Sequence, residues 1–183
     1  MPSTPEFYVF RDAVTGLTLE LPAGWERLDP SDAVRVMAAT EREYLRRSAG
    51  PRGTGVIVIA RTPGFAGLEK HRPTVACMTG PAPSRKELTL ADARSLFEHT
   101  IRSSFPGPFT EVALSPVSEL EISGYPAFRV SLAQPENAPG SGTFMSILKA
   151  SQLINCFGVH DEGTRAIVER ALASIRFDAS ESR

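Results

Sequence analysis

The residues with chemistry to offer are few and scattered. The chain has three histidines, His71, His99 and His160, and two cysteines, Cys77 and Cys156. No histidines are spaced as HxH or HxxxH and the cysteines form no CxxC pair, so no metal-ligand spacing is present. His160-Asp161-Glu162 is the densest polar cluster. It falls where a strand should give way to a helix, and a cap plus the positive end of the helix dipole accounts for acids there. A cysteine–histidine pair could be Cys156 or Cys77 with His160 or His71; Cys156 and His160 lie four apart on a strand-like run, hence on one face, as a thiol nucleophile and its base would need. Against this, Cys156 stands between Ile154 and Phe157, which implies a buried and inert thiol. Both cysteines read as small buried hydrophobes. A disulfide would require their strands to be neighbours, and a cytoplasmic setting opposes one. No GxSxG elbow or SxxK motif is present. The glycine-rich stretch Ser48 to Gly55 precedes a strand and lacks a GK[ST] ending, so it is not a phosphate cradle. No catalytic, cofactor-binding or metal-binding residue is assigned, and no cofactor is expected.

Positioning elements follow from periodicity. Leu17, Leu19 and Leu21 alternate with Thr18 and Glu20, which predicts a strand ending at Pro22 and turning through Ala23-Gly24 into Trp25, a core plug. Phe7 to Phe10 predicts an edge strand before it. Asp29-Pro30-Ser31-Asp32 signals a helix over about 31–47, apolar at Val34, Met37, Ala38 and Leu45, with Arg35, Arg42, Arg46 and Arg47 on the other side. Val56 to Ala60 is a continuous apolar run, a central strand covered on both faces. Residues 61–72 form an irregular excursion, 74–78 a strand and 80–85 a loop. Thr89 to Asp92 opens a helix with Leu90, Ala93, Phe97 and Ile101 on one face.

Residues 111–122 read as extended, interrupted at Pro116, and Ser123-Gly124 as a two-residue hairpin turn into a strand from Pro126 to Leu132. After a polar loop, strands over 143–149 and 152–159 form a hairpin around Ala150-Ser151. Asp161 is expected to cap a last helix from Glu162 to Ala173, with Ile167, Val168, Ala171, Leu172 and Ile175 facing the core and Phe177 closing it.

Three segments carry a resemblance. Leu19-Glu20-Leu21-Pro22-Ala23-Gly24-Trp25, Ile122-Ser123-Gly124-Tyr125-Pro126-Ala127-Phe128 and Leu172-Ala173-Ser174-Ile175-Arg176-Phe177 resemble, in order and spacing, the PsbP-like superfamily. That group includes photosystem II extrinsic PsbP proteins, Mog-type Ran-binding proteins, mycobacterial LpqN-type lipoproteins and bacterial DcrB-like proteins. The resemblance covers most of the chain. It implies an α+β fold, a single-domain α-β-α sandwich whose central, largely antiparallel sheet is flanked by helices. It implies no shared catalytic residues.

Composition narrows the function classes. At 183 residues the chain suits one domain, 1–183, with an ordered core of about 7–177 and flexible termini. A formal net charge of −1 argues against general nucleic-acid binding. No apolar run reaches the roughly 18 residues of a membrane-spanning helix, so no membrane insertion is expected. The segment MPSTPEFYVFRD lacks a basic region followed by an apolar one, and lacks a lipid-attachment cysteine. A cytoplasmic location is expected, unlike the exported LpqN-type and many DcrB-like proteins.

The expected function is a non-catalytic binding module, a bacterial protein-interaction adaptor or chaperone, with a partner of open identity and self-association left open. The DcrB-like branch includes chaperones of type VI effectors, which hold hydrophobic helices of their cargo. The alternatives are a small-molecule or lipid-binding protein with an enclosed apolar pocket, and an enzyme. The candidate partner surface is Arg42, Arg46 and Arg47, with Phe65 and Leu68 in the excursion.

Overall fold

A computed structural model describes residues 5–28, 55–64, 72–79, 89–98 without 93 and 96, 113–133, 141–149 and 152–178. The strands are β1 (Phe7–Arg11), β2 (Leu17–Pro22), β3 (Glu26–Leu28), β4 (Val56–Arg61), β5 (Thr74–Thr79), β6 (Ala113–Leu114), β7 (Ser118–Ile122), β8 (Tyr125–Ala133), β9 (Ser141–Lys149), β10 (Gln152–His160) and β11 (Arg176–Phe177). A helix, α1 (Arg165–Ala173), precedes β11, and a short helical segment lies within 90–98.

The strands form two antiparallel sheets. One has the order β1-β2-β11; the other has eight strands in the order β3-β4-β5-β10-β9-β8-β6, with β7 also paired to β8. This corrects the expected α-β-α sandwich. On one face of the large sheet, among the described residues, the covering layer is the small sheet together with α1. The strand Leu17–Pro22 belongs to this second sheet and not to the central one. The cause is local. Pro22 has no N–H to continue a ladder, and Trp25 N–H donates to the Pro22 carbonyl at 3.1 Å, closing a turn that delivers the chain into β3. Trp25 is half-buried against the core rather than fully enclosed.

Between the layers lies the principal core. Leu17, Leu19 and Leu21 from β2 meet Val58 and Ala60 from β4, Val75 and Cys77 from β5, Met145 and Ile147 from β9, and Val168, Ala171 and Leu172 from α1. Burying an aliphatic side chain of this size contributes about 1.5–3 kcal/mol, so the three β2 leucines hold the sheets together. On the other face, Phe97 of the helical segment stacks on Phe128 with centroids 6.1 Å apart, beside Val130, Leu148 and Leu153. The expected Thr89 start forms: its hydroxyl donates to Asp92 Oδ2 at 2.7 Å and accepts from the Asp92 N–H at 3.1 Å. Leu90, expected on the apolar face, is exposed.

Pro116 does break the extended segment. β6 and β7 flank it, and both pair with β8. Ser123 and Gly124 make the β7–β8 turn with φ of 52° and 83°, the left-handed pair that a tight hairpin requires. A Cβ on Gly124 would meet nothing within 4 Å. Gly124→Ala should therefore lower stability by about 1 kcal/mol through backbone conformation alone. In urea titration the midpoint should fall while the slope stays unchanged.

Candidate functional site

The sequence placed its best chemistry at the end of β10, and the structure shows what holds those groups. Register aligns Cys156 of β10 with Met145 of β9 and with Cys77 of β5. Alternation then puts Cys156, Gly158 and His160 on the face that looks toward α1 and the small sheet. Cys77 and Cys156 are directly opposite, their Cα atoms 4.1 Å apart, and they are joined as a disulfide. Such closeness belongs to a non-hydrogen-bonded antiparallel pair, where side chains approach most nearly. Both residues are almost fully buried, at 0% and 1% exposure. The expected pair of free buried thiols is corrected: their strands are neighbours.

His160 shares the face of Cys156 but finds no thiolate there. It is buried, with Nδ1 3.2 Å from the Asp161 carbonyl oxygen. Asp161 turns to Thr164 instead. Its Oδ1 accepts from the Thr164 N–H at 2.8 Å and from the Thr164 hydroxyl at 2.7 Å. This turn uses residues 162–164, so the helix begins at Arg165 with Thr164 at its cap position, later than the expected Glu162. Thr164 makes no side-chain bond into α1, since its hydroxyl serves Asp161. Glu162 lies before the helix, and the first turn holds no acid for the dipole to favour.

The Thr164 hydroxyl bond holds the Asp161 carboxyl below its ordinary value of 3.8. A depressed carboxylate adds stability that is fully present above the unfolded value and is lost as pH falls through the folded one. Asp161→Ala should therefore destabilise by about 1 kcal/mol at neutral pH, the net worth of a side-chain hydrogen bond. That difference should narrow in denaturant titrations well below pH 3.8, as the carboxylate is protonated.

Beside this junction, other polar groups tie the layers. Glu169 of α1 accepts from the buried Thr143 hydroxyl at 2.7 Å and pairs with Arg129. Arg170 places Nε and NH2 3.0 and 2.9 Å from Glu20 Oε2 while its guanidinium covers the Phe7 ring. Lys149 donates to the Thr15 carbonyl and lies 4.8 Å from the Phe177 ring centroid. Among the described residues, no group of three or more His, Cys, Asp and Glu is placed to hold a metal ion. The arrangement clamps a helix and a small sheet onto a large one.

Sequence reasoning passed over Gly158 and Thr164. A glycine inside an apolar strand signals close approach of another element, and the Asp161-to-Thr164 spacing is that of a side-chain-closed turn. Arg42, Arg46, Arg47, Phe65 and Leu68, with His71 and His99, lie outside the described residues.

No protein-family model and no curated protein matches the sequence. Solved structures do match the fold. The solution structure of the cyanobacterial PsbP (CyanoP) from Synechocystis sp. PCC 6803 aligns over 97% of this chain and 95% of its own, with TM-score 0.59 and 13% identity. The chain has a PsbP-like fold. A crystal structure of LpqN, involved in cell envelope biogenesis of Mycobacterium tuberculosis, aligns over 95% and 91% with TM-score 0.51 and 11% identity.

In this PsbP-like fold the three sequence segments that carry the resemblance converge. The front segment contributes the second half of β2, where the Glu20 N–H donates to Ser174 Oγ of the last segment at 2.7 Å. The middle segment is the β7–β8 turn, where Ser123 Oγ accepts from the Phe177 N–H at 3.1 Å. Tyr125 meets the Phe177 ring edge-on at 5.4 Å. What the PsbP-like segments share is therefore one junction between two sheets, which is architecture and not a reactive centre.

Proposed function

We propose that this chain is a non-catalytic binding module, a protein-interaction adaptor or chaperone. The observation that carries it is the pairing of Cys77 with Cys156. It occupies both thiols that a cysteine–histidine mechanism could have used, while Asp161 and His160 are engaged in the turn that starts α1. A nucleophile needs a free thiolate and an oriented base, and here both groups hold the fold. Likeness to CyanoP and LpqN supports the same direction, and LpqN's part in cell envelope biogenesis makes an envelope-related role the first to test. The proposed partner surface remains Arg42, Arg46 and Arg47, with Phe65 and Leu68.

The test is co-purification of the full chain with partners from its native cells, wild type against Arg42→Glu/Arg46→Glu/Arg47→Glu and against Phe65→Ala. The expected result is one stoichiometric protein that either variant releases without a change in melting temperature. A co-purifying lipid or metabolite with no protein would overturn this in favour of an enclosed pocket. Loss of more than about 2 kcal/mol of stability in Phe65→Ala would identify Phe65 as core and remove it from the surface.

A further inference from the structure

We infer that Cys77 and Cys156 are oxidised before the two sheets close over them, and that the chain therefore completes its fold in an oxidising compartment. Three observations carry this. Cys77 and Cys156 are the two cysteines of the 183-residue sequence, so within it each is the other's only intrachain partner. They stand opposite each other on neighbouring strands in the interior of the large sheet. Their side chains face the core formed by β2 and α1, and their residues are 0% and 1% exposed.

Disulfide formation proceeds by attack of a thiolate on a disulfide sulfur, through a mixed disulfide. Here one cysteine thiolate attacks a disulfide donor, either a low-molecular-weight disulfide or a disulfide-bonded oxidoreductase, and displaces one donor thiol. The second cysteine then displaces the other. The protein loses two protons and two electrons, and the donor disulfide is reduced to two thiols. Each displacement needs in-line access to sulfur. The layers give none once Leu17, Leu19 and Leu21 and the α1 residues Val168 and Leu172 are packed. The exchange must precede closure. The same shielding keeps the finished disulfide from acting as a redox catalyst or a reporter of thiol poise, both of which need an exposed sulfur.

A reducing cytosol keeps such thiols reduced, whereas periplasmic, envelope and extracellular proteins retain disulfides. This departs from the cytoplasmic expectation drawn from the N-terminal residues. It concerns where the chain folds and not what it holds, but it shares the Cys77–Cys156 bond with the binding-module proposal: free thiols would remove that support from both, whereas a lipid co-purifying with an oxidised chain would overturn the binding-module proposal alone.

The experiment is thiol accounting on the full chain isolated from cells that make it naturally, quenched in an alkylating reagent. Without reductant, the denatured chain should take no label, and its intact mass should be lighter by two hydrogens than after reduction. Folded chain in millimolar dithiothreitol should also stay unlabelled for hours, and adding denaturant should release two sites per chain. Two labelled cysteines in the unreduced native-source chain would overturn the inference. Reduction of folded chain by dithiothreitol, read by alkylation, as fast as that of denatured chain would overturn closure as the barrier.

Discussion

Replacing Cys77 and Cys156 together by alanine should lower the free energy of unfolding by about 4.5 kcal/mol, the loop-entropy value for a cross-link of this span. The bond joins residues 79 apart in sequence. It removes from the unfolded chain the conformations in which β5 and β10 are far apart. Part of any measured loss will come from the packing volume of two sulfurs, and a control separates the two terms. Wild type unfolded and refolded in excess reductant keeps the sulfurs and loses the cross-link, so it should fall most of the way toward the double variant. If reductant leaves wild-type stability unchanged while the double variant is destabilised, the contribution is packing and the entropic account is wrong.

Gly158→Ala should be nearly as damaging, at about 3 kcal/mol, the upper range for overpacking a filled core. A Cβ at this position would overlap Val168 Cγ1 and stand 3.0 Å from Leu172 Cδ1. Neither atom is a free-swinging end, because Val168 and Leu172 are buried in the principal core. Relief requires α1 to lift from β10. That would strain the Glu169 and Arg170 ties made by the same helix. The double variant Gly158→Ala/Val168→Ala removes the overlapping methyl and should recover much of the loss, a coupling that a cycle of thermal or urea melts measures directly. Additive effects in that cycle would place the damage elsewhere.

Local patterns in the chain told much of this architecture, and non-local ones did not. The hairpin expected over 143–149 and 152–159 forms as Ser141–Lys149 and Gln152–His160, because alternation and a short connection are both read within one window. The Ser123-Gly124 turn and the break at Pro116 were equally readable, since each follows from the backbone freedom of one or two residues. Sheet membership was not. Leu17–Pro22 reads as a strand, but nothing in its own residues says that its partners are β1 and a two-residue strand at the other end of the chain. β3 spans three residues, too few for a period to show. The disulfide was hidden for the same reason: each cysteine looks like a small core residue until β5 and β10 are set side by side. At the β10–α1 junction, His160 and Asp161 were visible by type, and the geometry gave them structural work instead of catalysis.

The pairing of β2 with β11 has a consequence for biosynthesis. Thr18 and Arg176, partners in that ladder, are separated by 158 positions, almost the length of the chain. β10, which sits between β5 and β9, is also made late. Neither sheet can be completed before β10 and β11 have been made. Contacts of such high sequence separation form slowly. The two-sheet core should therefore assemble late, only once β10 and β11 are available to pair.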